Sequence, residues 1–182
     1  MNTILKLVIV GSTTALIAAT AAYSSASAAI SPVERGRYLV STSGCHDCHT
    51  PWKLGANGPE PDMTRALSGH PSGFELAPLP PPNEGWPMSA SPTNTAWCGP
   101  WGVSFTANLT PDQATGLGAW TADEFVAAIR TGRHQGRGRK ILPPMPAPVY
   151  AQLTDADLQA IFAYLRTIPA IANKVPEPLA PR

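Results

Sequence analysis

The stretch Cys45-His46-Asp47-Cys48-His49 decides how this chain is organised. It has the pattern C-x-x-C-H, which is typical of covalent haem attachment. Two thiols at this spacing lie on adjacent points of one helical turn, so both can reach the vinyl groups along one edge of a porphyrin. The following residue, His49, then lies beneath the iron and can coordinate it. The motif occurs once in the chain, which predicts a single covalently attached haem c.

Two other uses of paired cysteines fit this sequence less well. A thioredoxin-like redox pair also has the spacing C-x-x-C, but it needs a βαβ setting that the surrounding sequence does not offer. A zinc site needs further Cys or His residues at ligand spacing, and none lies near Cys48. Haem attachment therefore remains the interpretation of the motif.

Three helices are predicted from their first residues. Each begins with a Ser or Thr that can cap the helix, and an acidic residue follows three positions later. The predicted caps are Ser31, Thr121 and Thr154. The first helix is expected to run to about Thr42 with Gly44 ending it, the second to stop at Gly132, and the third to end at Pro169.

Between the first and second helices the sequence has no sustained helical or strand periodicity from about residue 51 to residue 117. The chain contains 21 prolines, many of them in this region. The prediction from these signals is three main helices around one covalent haem, with an irregular proline-rich insertion at about 52–104. The domain is expected to span 29–173, and 174–182 to form an extended tail.

The N-terminal residues predict export. A short positive region at Lys6, an apolar run and the small-residue site Ala26-Ser27-Ala28 form a signal peptide, 1–28, that is cleaved after Ala28. The expected location is the periplasm, with no stable membrane anchor in the mature chain. Removing Lys6 brings the net charge of +1 close to zero, which gives no case for a nucleic-acid partner.

The second axial ligand of the iron is less certain from the residues alone. The candidates are Met63, Met88, Met145, His70 and His134. Met145 lies in Leu142-Pro143-Pro144-Met145-Pro146, where prolines on both sides lower the entropy cost of holding a sulfur against iron. A methionine packed in a surface loop remains the alternative.

Several segments resemble class I c-type cytochromes, most closely the single-haem domains associated with bacterial alcohol and aldehyde dehydrogenases. They cover roughly Ser31 to Pro51 and Phe105 to Pro169, and not the insertion. The matching stretches are Asn108-Leu109-Thr110-Pro111-Asp112, Thr115-Gly116-Leu117-Gly118, Trp120, Pro144-Met145-Pro146, Tyr150, Leu153-Thr154-Asp155 and Ile161-Phe162-Ala163-Tyr164-Leu165.

The resemblance implies an all-α, cytochrome c-like fold in which the first and last helices cross. It also implies that the iron is ligated by His49 and Met145. It also implies that Asn108 and Trp120 lie close to the haem. The implied role is a periplasmic electron carrier rather than an enzyme, with no catalytic residue assigned. Its expected partners are redox proteins such as a periplasmic dehydrogenase and a respiratory oxidase.

Two features fall outside this pattern. The segment Trp97-Cys98-Gly99-Pro100-Trp101 is similar to a thioredoxin motif, but Trp101 stands where the resolving cysteine would be, so dithiol exchange cannot run. Cys98 is then a buried small side chain, an intermolecular disulfide or a reactive thiol. The basic run 130–140 either docks an acidic partner, pairs with the haem propionates or is a solvated loop.

Two alternatives to a free carrier stay open. One is a dedicated haem subunit of a periplasmic dehydrogenase complex, with the insertion as its interface. The other is a haem peroxidase or sensor with an open distal site, in which Met145 would not bind iron. The sequence offers no clear acid–base pair for peroxide cleavage, so this second alternative ranks below the first.

Overall fold

The structure, a computed structural model, describes residues 30–78 and 87–181. The predicted signal peptide, residues 1–28, lies outside the described residues, and so do Pro80, Pro81 and Pro82 of the insertion. From Ser31 onward the described residues belong to one structural unit.

Three long helices begin where their caps predicted. Ser31 and Thr121 each form a complete capping box with the glutamate three residues later, and the Thr154 side chain accepts a hydrogen bond from the Asp157 amide. The third long helix ends at Leu165, four residues before the expected Pro169. Two short helices complete the set of α-helices in the described chain. The five are α1 (Pro32–Thr42), α2 (Cys45–His49), α3 (Ala122–Thr131), α4 (Ala147–Tyr150) and α5 (Asp155–Leu165).

The prediction of an all-α fold with an irregular insertion is wrong, because the insertion contains two small antiparallel sheets. β1 (Trp52–Gly55) pairs with β2 (Gly58–Pro61). In the second sheet β4 (Ala96–Gly99) lies between β3 (Ser89–Ala90) and β5 (Gly102–Phe105). A cytochrome c-like arrangement of helices therefore carries an added β region.

The strands were not predicted because they are two to four residues long, which is too short to show an alternating pattern of apolar and polar residues. β2 even contains Pro59 and Pro61, which normally argue against a strand. In a two-stranded sheet each strand has an outer edge, so a residue without an N–H can be accommodated there. The hairpin turns did leave signals, at Asn57-Gly58 and between Gly99 and Gly102.

The core forms where α1 packs against α5, with α3 beside them. Gly36 of α1 is buried, and a Cβ there would overlap the carbonyl oxygen of Ala160 on α5, so the two backbones approach closely. The buried apolar residues of this core are Leu39, Val40, Leu67, Leu117, Phe125, Ile129, Leu158, Ile161, Phe162 and Leu165. Across residues 30–78 and 87–181, every helix is too short or too polar to cross a membrane.

The C-terminal segment after α5 returns to the second sheet. The side chain of Asn173 is buried and donates hydrogen bonds to the carbonyl oxygens of Ser68 and His70, at 2.7 and 2.8 Å. Six residues later, Leu179 and Val103 exchange two backbone hydrogen bonds of 2.9 Å. The segment predicted to be an extended tail is thus hydrogen-bonded to the domain at both ends of this stretch.

Candidate haem-binding site

The C-x-x-C-H motif forms the single-turn helix α2, directly after α1. Gly44 joins the two helices with φ +72°, in the left-handed region that glycine adopts without strain. A Cβ at this position would also meet the Asp47 carboxylate at 3.0 Å. The sharp turn at Gly44 therefore presents Cys45, Cys48 and His49 on one turn of helix.

His49 is oriented by a residue far away in sequence. Its side chain is 9% exposed, and its Nδ1 lies 2.8 Å from the carbonyl oxygen of Ala107. A carbonyl only accepts, so Nδ1 carries the proton and Nε2 presents a lone pair. Burial lowers the pKa of His49, which favours the neutral ring. A neutral imidazole whose other nitrogen is held in this way is the form that binds a metal.

The two motif cysteines are free thiols in this structure, as is Cys98. Burial raises the pKa of Cys45 to about 11, and it also raises the pKa of Cys48, with the Asp47 carboxylate acting in the same direction. Both groups are therefore protonated at neutral pH. Cys98 is half-buried in β4, where it lies opposite Val103.

Met145 lies in a loop that is fixed from several sides. The Ser104 hydroxyl donates to the carbonyl oxygen of Pro143 at 2.5 Å, and the Ala147 amide donates to that of Met145 at 2.9 Å. Just beyond, the Tyr150 hydroxyl donates to the carbonyl oxygen of Ser43, next to the cysteine helix. These bonds connect the Met145 loop both to the β5 strand and to the start of α2.

All the predicted site residues line one cavity of about 530 Å³. They are Cys45, Cys48, His49, Asn108, Trp120 and Met145. Apolar side chains from α1, α3 and α5 form much of the remaining wall, including Val40, Phe125, Leu158, Ile161 and Leu165. Two thiols, one neutral imidazole and one thioether in an apolar cavity are the donor set that a covalently attached, axially ligated haem requires. The residues present therefore fit a haem.

Three of the five candidate axial ligands do not line the cavity. Met63 and Met88 are 60% and 41% exposed and do not line the cavity. His70 is buried beside Phe105, with its Nδ1 2.9 Å from the Thr95 hydroxyl, and it does not line the cavity either. His134 does line it, with its ring 4.9 Å from that of Trp120. Met145 and His134 are thus the two candidates that reach the cavity.

Asn108 has a second role that its motif did not predict. Its Oδ1 accepts hydrogen bonds from the Thr110 amide and hydroxyl, and its Nδ2 donates to the Thr115 hydroxyl and the carbonyl oxygen of Ile171. All four partners lie within 3.2 Å. Asn108 therefore holds its own loop together and joins it to the segment that follows α5.

The basic run 130–140 is largely paired with carboxylates. Arg130 binds Asp155 at 2.5 Å, Arg137 binds Glu124 at 3.2 Å, and Arg139 binds Glu177 at 3.3 Å. Nearby acidic residues in the sequence are few, so these partners come from other elements. The run is therefore less free to dock an acidic partner than its sequence indicated.

Sequence reasoning missed several residues of the cavity wall. They are Trp97, Ser104, Thr106, Tyr150 and Lys174, among others. Trp97 and Ser104 come from the β4–β5 hairpin, which lay inside the region taken as irregular. The turn signal at Gly99-Pro100-Trp101-Gly102 was the available hint of that hairpin.

A family model for cytochrome c matches residues 33–169, most of the chain. The chain belongs to the cytochrome c family. This family holds haem and transfers electrons, and the cavity with its C-x-x-C-H helix lies inside the matched region. The matched region begins within α1 and ends just after α5.

Three relatives show where such domains occur. The chain is 31% identical over 156 residues to the gluconate 2-dehydrogenase cytochrome c subunit of Pantoea cypripedii, which covers 82% of this chain and 27% of the relative. It is 28% identical to the cytochrome c subunit of the quinone alcohol dehydrogenase of Gluconobacter oxydans strain 621H, covering 80% and 24%. It is also 28% identical to the fructose dehydrogenase cytochrome subunit of Gluconobacter japonicus, covering 74% and 21%. The chain described here thus spans about a quarter of the length of each of these relatives.

Proposed function

We propose that this cytochrome carries single electrons on one haem c, bound through thioethers to Cys45 and Cys48 and ligated by His49 and Met145. The observation that supports it is that these four side chains line the same cavity. The haem, when bound, supplies an iron that alternates between its ferrous and ferric states. The protein's part is to hold the ligands, shape the pocket and exclude water.

The chain's own residues perform that part in separable ways. The Ala107 carbonyl fixes the ring of His49, so the imidazole needs no reorientation between the two charge states. A thioether from Met145 favours the less charged iron, and the apolar wall from Val40, Leu158 and Ile161 acts in the same direction. Together these features favour a higher reduction potential than a water-exposed site with two histidines.

The proposed setting is the periplasm, reached through the signal peptide 1–28. The electron donor is a periplasmic dehydrogenase and the acceptor a respiratory oxidase. The support for the donor is that the relatives are cytochrome subunits of gluconate, alcohol and fructose dehydrogenases. The carrier itself needs no catalytic residue, because its reaction is electron exchange with a docked protein.

The visible spectrum of the oxidised protein tests the proposed ligation. A weak far-red charge-transfer band reports a bond between iron and a methionine sulfur. The band is expected in the wild type and in Met63→Ala, whose side chain is exposed, and it is expected to disappear in Met145→Ala. A band that survives in Met145→Ala would contradict Met145 as the ligand. A wild-type spectrum without the band, together with carbon monoxide binding by reduced His134→Ala but not by the reduced wild type, would instead assign His134 as the second axial ligand. Carbon monoxide binding by the reduced wild type would support an open distal site.

A dedicated haem subunit of one dehydrogenase complex is the second candidate function. It is favoured by the same observation, namely that the relatives are described as subunits. Gel filtration of the native protein in cell extract distinguishes the two. A free carrier elutes at the size of the single chain, whereas a haem-containing peak at much larger size contradicts the free-carrier form.

A further inference from the structure

Two buried polar groups in the cavity wall lack a partner. Among the described residues, four buried side-chain atoms have no hydrogen bond, and two of them belong to cavity-lining residues: Trp97 Nε1 and Thr106 Oγ1. An indole N–H can only donate, and leaving a buried donor unpaired costs about 1–3 kcal/mol. An acceptor held inside the cavity would satisfy it.

These groups lie on one face of the β4–β5 hairpin. Trp97 is directly opposite Ser104 in the pairing register, and both line the cavity. Thr106 follows Ser104 by two residues, and side chains two residues apart point to the same side of an extended strand. The hairpin therefore offers the cavity a polar strip, in contrast to its apolar helical wall.

Two cationic side chains line the same cavity. Arg139 is partly neutralised, because its Nε lies 3.3 Å from the Glu177 carboxylate. Lys174 pairs with no carboxylate of the described residues, although it too lines the cavity. An anion in this part of the cavity would gain both a hydrogen bond from Trp97 and the attraction of Lys174.

The C-terminal segment forms part of the wall of the same cavity. Lys174, Val175, Glu177 and Pro178 contribute to the cavity wall. The segment is anchored by Asn173 at one end and by the Leu179–Val103 pair at the other. At Gly102 a Cβ would overlap the carbonyl oxygen of Leu179, so glycine allows the segment to lie directly on the hairpin. All of these segment residues follow the region matched by the family model, which ends at residue 169.

We propose that the haem carboxylates bind at a subsite formed by Trp97 and Thr106 of the hairpin and Lys174 of the C-terminal segment, with Trp97 Nε1 donating to one carboxylate. The inference rests on the proposed function only in requiring that a haem occupies the cavity. It does not depend on which residue is the second axial ligand. A haem carries its two propionates on one edge, so one polar region of the cavity can receive both.

The direct test uses the wild-type holoprotein. In the reduced protein, nuclear Overhauser effects are expected between the Trp97 indole proton and the propionate methylene protons, and not from the Trp101 indole proton. Their absence would overturn the subsite. If Met145 does not bind iron, the same measurement is made on the carbon monoxide adduct, so the failure of the axial-ligand proposal is seen separately.

Two matched pairs of variants test the same subsite through the reduction potential. Trp97→Phe removes the proposed donor, whereas Trp101→Phe removes another buried, unpartnered indole N–H that does not line the cavity. Trp97→Phe is expected to lower the potential and to raise the pH of the carboxylate titration by about one unit, because a hydrogen bond favours the ionised form. Lys174→Gln is expected to lower the potential more than Lys140→Gln.

Two control variants show whether the shifts arise at the proposed subsite. Trp101→Phe and Lys140→Gln are expected to titrate as the wild type does. Equal shifts in Trp97→Phe and Trp101→Phe, or no shift in either, contradict the proposal. If Trp97→Phe does not accumulate with haem attached, the nuclear Overhauser measurement on the wild type and the Lys174→Gln pair still decide the question.

Discussion

Gly36 of α1 lies directly against Ala160 of α5, so closely that no side chain fits between the two backbones. Each of these helices contributes side chains to the haem cavity, Val40 from α1 and Leu158, Ile161 and Leu165 from α5. The spacing between the helices therefore depends on the absence of a Cβ at residue 36.

Gly36→Ala is expected to destabilise the protein by about 1–3 kcal/mol through overpacking, less a gain of up to about 1 kcal/mol in helix propensity. Urea unfolding of the holoprotein measures the difference. Gly73→Ala is the matched control, because a Cβ at Gly73 meets nothing within 4 Å. Equal stability of Gly36→Ala and the wild type would show that α1 and α5 can separate without cost.

Asn108→Ala is expected to lower the free energy of unfolding by about 2–4 kcal/mol, because it leaves several buried partners without hydrogen bonds. These partners join the 108–115 loop to the segment after α5. The spectrum of the folded variant should stay close to that of the wild type. Asn57→Ala, in an exposed turn, is the control and is expected to change little; if both cost the same, the proposed role of Asn108 in holding the loop is wrong.

Arg130→Met is expected to weaken the turn between α4 and α5. The Arg130 side chain donates to the carbonyl oxygens of Ala151 and Leu153 and binds Asp155. Because this turn follows the Met145 loop, the far-red band should vanish at a lower temperature, with a stability loss of about 1–2 kcal/mol. Arg133→Met removes the same charge but only one backbone hydrogen bond, to Gly138. Identical melting of the two variants would contradict the prediction.

The stability of the protein should fall in mild acid because of His70. This side chain is 1% exposed, and burial lowers its pKa from 6.5 to about 4. The unfolded chain takes up a proton near pH 6.5, but the folded chain resists until about pH 4, so stability is full above this window and is lost as pH falls through it. The loss from this one group is at most about 3 kcal/mol.

Urea unfolding of the wild type and His70→Leu at the two ends of that window measures this effect. The variant is expected to be less stable at neutral pH, because the Thr95 hydroxyl loses one of its two hydrogen-bond partners, but to lose less stability on acidification. His46 and His134 remain in both proteins and cancel in the comparison. A variant whose stability falls as steeply as that of the wild type would show that another group is responsible.

The helix caps and the haem-attachment helix were predicted well, because the interactions that form them span few residues. The caps at Ser31 and Thr121 bond to residues three positions away, and the C-x-x-C-H helix needs only its own turn and Gly44. The strands of the insertion could not be predicted in the same way. Their pairing depends on partners in other strands, and segments of two to four residues carry too little pattern to reveal it.

By itself, the sequence determined the haem-attachment motif, the three long helices and the family resemblance, because each is written in adjacent residues. Only the tertiary structure decided that Ala107, 58 residues away, orients His49. It also decided that His134 joins Met145 at the cavity while His70 does not, and that Trp97 and Lys174 both line that cavity. These relationships arise from packing between distant segments, where burial and hydrogen-bond geometry, rather than spacing along the chain, select the neighbours.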